Sequence, residues 1–450
     1  YVSADSDCEV GCGGEEAPFP TIAEALFVVA DGGEVLVGPG EYMEGVLVEK
    51  SIAVRGLCAA KVLIAGEVAT PFSGDGGKYT AGVGVFGADG VVVSGLRVEG
   101  GRLGVAVSEA GDLTLTNLDV ANSSEAGVYI SHGSTVLVDQ VWIHGFADEP
   151  VDHGLGIWVN WESKVAAQSV LVESVASSGV VVLDTFSALT LEHCTIRDVD
   201  LGTVDPMGVG GFADYGAVLQ IRRTLIEGTI PVGVSARGDA WTELENVVVR
   251  DVEVMPGSTM GWGIDAQTGA EVIIVDSLFD HISSSGVNAV DPGTRVTISR
   301  SILRDTQPNG PGGAGRGLIA GVEAEIVASG LLVDANNGIG FSVRDTGTKG
   351  QLEGAVVRNT TYTAEGEAGI AGMCGFGAEF AVRRSVVEGN LGWALWVGDP
   401  ESRLFFHESN LRGGNALGPG DVVEGAAVFT GGSAEITSSL IDSLNGTGVY

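Results

Sequence analysis

The chain has 450 residues, 71 of them glycine and 13 proline, and its 59 acidic residues outnumber 23 basic ones for a formal net charge of −36. Binding to phosphate backbones needs clustered lysine and arginine, so this balance argues against nucleic acid, and it repels polyanionic polysaccharides unless cations bridge the pair. Apolar residues at 44% suffice for a core, while no apolar run reaches the roughly 18 to 20 residues that span a bilayer, and no signal peptide opens the chain.

Three of the five cysteines fall early, at Cys8, Cys12 and Cys58. A disulfide among them would suit a secreted or cell-surface protein, extracellular or periplasmic, and would staple its N-terminal end. Residues 19–32 then place Ile22, Ala25, Leu26 and Val29 at helical spacing behind Thr21, with Glu24 three residues later. That pattern predicts one capped amphipathic helix, whose task is to cover the open strand edges of whatever follows. Residues 1–33 read as a cap and residues 34–450 as one long repeat domain.

From Gly82 onward a Gly followed by an apolar residue returns about every 23 or 29 residues. The series is Gly82, Gly104, Gly127, Gly156, Gly179, Gly208, Gly233, Gly263, Gly286, Gly317, Gly340 and Gly369, then Ala394 and Ala427 with alanine, and Gly448. Short and long intervals alternate from Gly104, so the repeating unit is a pair of turns, and fixed periods of this length mean a solenoid. Between the glycines, "LTLTNLDV" from Leu113, "LTLEHCTI" from Leu189, "TELENVVV" from Thr242 and "VTISRSIL" from Val296 put apolar or small residues at positions one, three, six and eight. Two short alternating strands with a two-residue bend between them produce this spacing, and the Gly phrase supplies a third. The fold class is all-β: a right-handed parallel β-helix with one N-terminal capping helix, its hand set by the chirality of crossover connections. Cys194 falls in an inward column and reads as a buried, unreactive residue. The phrase "GTGVY" from Gly446 opens a further turn, which predicts more chain beyond Tyr450.

The stretch from Ala17 to Leu57, "APFPTIAEAL" through "ADGGEVLVGPGEYMEGVLVEKSIAVRGL", resembles the opening of the secreted right-handed β-helix superfamily, which includes pectate-lyase-like, DUF1565-like and carbohydrate-binding CASH-type proteins. The repeats resemble the same group over nearly the whole chain. The resemblance implies the fold, an extracellular setting and contact with polysaccharide or cell-surface glycan, but no particular activity.

Long turns differ from short ones by a loop after the second strand, beginning at His144, Arg197, Arg250, Arg304, Arg358 and Arg412. These loops should emerge on one side and form any binding surface. The first is richest in chemistry: Trp142, His144, Asp148, Glu149, Asp152, His153, Trp158, Trp161 and Glu162 lie close in sequence. Aromatic faces stack on sugar rings while carboxylates take hydroxyl hydrogen bonds, so these nine are the candidate ligand contacts. His144, Asp152 and His153 are weak metal candidates, and Ca²⁺ is the cofactor left open by the acid excess, although no Gly-Gly-x-Gly-x-Asp repeat occurs. "VWIHGF" at residues 141–146 is similar to a Trp-Ile-Asp-His stretch of pectate lyases but has His144 where those have Asp. No lyase, polygalacturonase or epimerase motif is present. Arg222–Arg223, Arg300 and Arg383–Arg384 occupy matching bends and read as solvated charge pairs. Asn122, Asn336, Asn390 and Asn445 read as turn supports.

These observations point to a non-catalytic scaffold that contacts glycans through loops on one side. A polysaccharide-active enzyme with a site assembled across turns, and a mechanical filament or adhesin segment, are the alternatives.

Overall fold

The computed structural model describes the chain except residues 75–76, 146–152, 203–207, 311–312, 363–368, 414–423 and 443–450. One helix, Ile22–Val28, precedes a succession of short strands. Thr21 Oγ1 accepts from Glu24 N at 3.2 Å, and the Glu44 carboxylate takes the two freed N–H groups of Ile22 and Ala23 at 2.7 and 3.0 Å. At the other end Lys50 Nζ donates to the carbonyls of Leu26, Phe27 and Val29. An acid at the N-terminus and a cation at the C-terminus both complement the helix dipole. Ile22, Ala25 and Leu26 are buried, while Val29 serves as the C-cap residue. Cys8 and Cys12 are joined, and Cys58 is left as a half-buried thiol. No helix among the described residues is long and apolar enough to cross a membrane.

The structure divides into two compact units, residues 1–212 with 216–225, and residues 213–215 with 226–450. In each unit every coil contributes one strand to each of three parallel sheets. In the first unit these sheets start at Glu34–Val37, Gly40–Tyr42 and Val46–Val48; in the second they start at Trp241–Glu245, Leu225–Thr229 and Val232–Ala236. Between first-sheet and second-sheet strands the chain bends through a residue of positive φ, such as Asn117, His193, Asn246 or Arg300. That bend reverses the inward phase, which is why Leu113, Leu115, Leu118 and Val120 are all buried despite their uneven spacing. Hydroxyls just past the bend replace lost backbone bonds: Val247 N donates to Ser277 Oγ and Ser277 N to Ser301 Oγ, each at 3.1 Å.

The recurring glycine marks the corner where second-sheet side chains meet the third sheet. A Cβ on Gly127 would lie 2.3 Å from Ile143 Cγ2, and one on Gly233 would lie 2.5 Å from Val249 Cγ1. Three members of the predicted series are displaced by two residues. Gly179 packs on the carbonyl of Gly210, not Gly208; Gly340 packs on that of Ala371, not Gly369. The strand pairing puts Ala427 opposite Trp396, so Gly425 takes the corner opposite Ala394. The loops end in extra small residues, "GVGG" and "GIAG", and these imitate the phrase. With the corrected positions every short interval from Gly104 is 23, as in Gly210 to Gly233 and Ala371 to Ala394. Gly448 lies outside the described residues.

In the second unit the outer face of the second sheet carries one column of alternating charge. Arg250, Asp280, Arg304, Asp334, Arg358, Glu388, Arg412 and Asp442 are successive partners in register. Arginines come from long turns and acids from short ones. Arg304 donates to both oxygens of Asp280 at 2.9 and 2.6 Å, and Arg358 to Asp334 at 3.1 and 2.8 Å. The Arg304 hydrogen bond holds the Asp280 carboxyl below the usual range. Burial pushes the Asp334 carboxyl up, but the Arg358 and Asn359 bonds outweigh it and the net direction is down. Both folded-state values thus lie below the unfolded value of about 3.9, so the column's contribution is fully present above that pH and is lost as pH falls through the lowered values. Urea midpoints measured from pH 7 down to pH 2 should fall most steeply below about pH 4. The Asp280→Asn/Asp334→Asn variant should start lower and decline less; parallel curves would assign the acid sensitivity elsewhere.

Candidate functional site

The described ends of all six long-turn loops lie between a second-sheet and a third-sheet strand. Of the nine predicted contacts, Asp148, Glu149 and Asp152 lie outside the described residues. The other six do not converge on one site. Trp142 and His144 stand on the second sheet, rings stacked at 3.7 Å, with Trp142 Nε1 donating to Glu173 at 2.8 Å and His144 Nε2 bonded to Asp119 at 2.8 Å. Trp161 and Glu162 occupy the exposed turn leading to the first sheet, where Trp161 stacks on His132 at 5.0 Å. Trp158 faces outward on the third sheet, with the His153 ring edge-on at 6.4 Å. Among the described residues no cluster of three His, Cys, Asp or Glu is placed to hold a metal, and His144 is already engaged by Asp119.

The third sheet's outer face in the first unit collects the aromatic residues. Ala106, Tyr129, Trp158 and Val181 are successive partners in register, one slot two residues after the corner glycine. Tyr129 and Trp158 rings lie 4.7 Å apart, and Tyr79, Phe86, Leu183 and Phe212 pack on the same cluster. Along one edge Glu125, only 2% exposed, accepts from Arg102 Nε at 2.9 Å, and that guanidinium lies 4.6 Å above the Tyr79 ring. Burial first, then Glu125, pushes the Tyr79 phenol up; burial does the same for Tyr129. Both phenols stay protonated donors at neutral pH. Trp158 Nε1 and Asn160 Oδ1 are buried with no hydrogen-bond partner among the described residues. An orphaned donor and an orphaned acceptor on the same strand end call for polar partners that the described residues do not supply.

The same outer face in the second unit is polar. Ser235, Asp265, Asn288, Ile319 and Ser342 follow one another in register. Asp265 is 0% exposed, yet its carboxylate is saturated by Arg237 at 3.1 Å, Gln267 at 2.7 and 2.8 Å and Asn288 at 3.0 Å. A cleft of about 350 Å³ opens beside Asn288, bounded by Trp262, Arg316, Ile319, Arg344 and the loop residues Thr259 and Asn309.

The remaining sequence assignments divide. Arg223, Arg300 and Arg384 pair with Glu192, Asp276 and Glu353 respectively. Asn336 and Asn390 accept from the backbone of Thr306 and Thr360, whereas Asn122 instead donates to Glu99. Asn445 lies outside the described residues. Cys194 is buried and burial raises its thiol, as it raises Cys374 to about 12. Tyr79, Arg102, Glu125, Tyr129, Asn160 and the cleft arginines were not among the predicted contacts. The slot rule would have found one of them, because Tyr129 stands two residues after the repeat glycine Gly127, in the slot that the predicted Trp158 fills one coil on.

The chain is a right-handed parallel β-helix protein: three parallel sheets wound from successive coils define the class. The family model described as a right-handed β-helix region matches residues 81–236. Among solved structures, similarity extends to pectate lyase Pel9A, 16% identical over 62% of this chain and 75% of that one, with a TM-score of 0.46. The periplasmic alginate epimerase AlgG is 9% identical over 96% of this chain and 83% of its own, with a TM-score of 0.38. An alginate lyase from Paenibacillus sp. str. FPU-7 is 13% identical over 57% and 91%, with a TM-score of 0.35. No curated protein matches the sequence. None of these likenesses bears on what this chain binds or does.

Proposed function

We propose that the chain is an extracellular or periplasmic β-helix scaffold that contacts glycans without transforming them, through the aromatic outer face of its first unit. The observation that carries this reading is the buried Trp158 indole N–H and Asn160 carbonyl, both without partners among the described residues, set against the Tyr129 ring. Sugar rings offer apolar C–H faces to aromatic side chains and hydroxyls to such donors and acceptors.

Glycan-array binding by the whole chain tests it. Trp158→Ala should lower retained signal tenfold or more, since a stacked aromatic and a buried hydrogen bond together exceed about 1.4 kcal/mol. Trp142→Ala, whose ring is 40% exposed but already tied to Glu173 and His144, should change binding little. Equal loss in both variants, or loss in neither, removes the reading.

One observation favours a catalytic alternative: Tyr79, Arg102 and Glu125 bring a phenol, a guanidinium and a buried carboxylate together at the edge of the same face. Incubation with uronate and neutral glycans, with and without Ca²⁺, separates the two. New reducing ends or unsaturated products would establish catalysis, and their absence would leave contact alone.

A further inference from the structure

We propose that the cleft on the outer face of the second unit's third sheet is a binding site for a small carboxylate-bearing, hydroxyl-rich ligand, held by Arg316 and Arg344. The inference goes beyond the glycan contact of the first unit and does not rest on it.

Arg316 is the second residue of the strand Gly315–Ala320, with Ser285 and Ile339 as its neighbours in register, so neither register neighbour supplies a carboxylate. Among the described residues no acid pairs with its guanidinium. The contrast lies within the same coils: Arg304, twelve residues earlier, takes both oxygens of Asp280. Asp265, the nearest buried acid in the adjoining column, is already saturated by Arg237, Gln267 and Asn288. Arg344 stands across the cleft, half exposed, and reaches Asp345 only at 4.0 Å. Burial and the charge of Arg344 both lower the Arg316 guanidinium's proton affinity, the signature of a desolvated cation facing a like charge. Arginine keeps its proton regardless, so the charge calls for a counterion.

A chain with 59 acids and 23 bases has spare carboxylates in abundance. An arginine without an acid partner among the described residues, facing a second one held only at 4.0 Å by Asp345, therefore marks a place where the anion comes from outside. Two guanidinium forks suit a planar carboxylate. The remaining lining suits the body that carries it: Trp262 offers an apolar wall, Ser284 and Asn288 offer polar groups, and a volume of about 350 Å³ lies in the range of small-ligand pockets. Asn309 Nδ2 lies 3.3 Å from Thr259 O and 3.4 Å from Ser284 Oγ, tying two loops to the strand that forms the floor.

Calorimetric titration of the whole chain at pH 7 and low salt, with D-glucuronate, D-glucose and inorganic sulfate as probes, tests the proposal. Glucuronate should bind and glucose should not. Arg316→Gln should weaken glucuronate tenfold to a hundredfold, and Arg344→Gln should weaken it by about tenfold, the scale of one charge-assisted bond. Arg304→Gln, outside the cleft, should leave it unchanged. Without ligand, Arg316→Gln should melt no lower than the parent, because it removes an unpaired cation; a lower melting temperature would assign Arg316 to the fold and overturn the proposal. Equal affinity in Arg316→Gln and parent, no glucuronate binding by the parent, or binding of sulfate without glucuronate would each overturn it as well. Trp158→Ala should leave this titration untouched, which keeps its outcome separate from that of the first-unit face.

Discussion

Gly156→Ala is expected to destabilise the chain by about 1 to 3 kcal/mol or more, the range for overpacking a filled interior. The new methyl would sit 2.3 Å from the carbonyl oxygen of Gly179 and 2.5 Å from Val172 Cγ1. One obstacle is backbone of the next coil, which cannot rotate aside, and the other is a core side chain of the same coil. Relief requires widening the spacing between coils, and that spacing is fixed by parallel strand pairing on three sides. Gly14→Ala is the control, since a Cβ there meets nothing within 4 Å and its φ is ordinary. Urea denaturation of both variants measures the difference. A Gly156→Ala midpoint matching that of Gly14→Ala would show that the corner has room and that the recurrence of glycine has another origin.

Arg237→Met should cost about 3 to 5 kcal/mol, the largest effect expected of a surface-lining residue here, because it strands a buried carboxylate. Asp265 is 0% exposed, while the Arg237 side chain that pairs with it at 3.1 Å is 28% exposed. Gln267 and Asn288 would still donate to Asp265, but they carry no charge to offset it. The double variant Arg237→Met/Asp265→Leu should recover most of the loss, since exchanging a whole buried ion pair for apolar groups is often near neutral. Thermal melts of the two singles and the double complete the cycle. A double variant no more stable than Arg237→Met would mean that Asp265 organises the neighbouring coils through Gln267 and Asn288, rather than merely requiring a counterion.

The coil was legible because its constraints act locally and repeat. A Cβ cannot fit at Gly127 or Gly233, a bend at Asn117 or Asn246 flips the inward phase, and both facts recur in the letters at a fixed interval. Where a loop imitates the signal the reading slips by two residues, as at Gly208 and Gly369. The helix was legible for the same reason, its Thr21 cap and its buried Ile22, Ala25 and Leu26 all lying within one turn or two. The candidate site was far less so. Proximity in sequence grouped Trp142, Trp158 and Trp161, yet these stand on the second sheet, on the third sheet and in the turn beyond it. What gathers side chains in a solenoid is the same slot in successive coils: Trp158 meets Tyr129, 29 residues earlier, and Asp265 meets Asn288, 23 residues later. Arg316 was invisible because its distinguishing property is a partner it lacks, which only packing can reveal.

The sign of charge along the second unit's column follows the parity of the turn, arginine on odd members and acid on even ones. Excising any single coil there would bring two like charges face to face, whereas excising two neighbours would close the gap with opposite signs meeting again. Growth and shortening of such a chain are therefore tolerated in steps of two coils, and the likeness of "GVGGFADYGAVLQIRRTLIEG" from Gly208 to "GIAGMCGFGAEFAVRRSVVEG" from Gly369, six turns later, is the record that such a rule would leave.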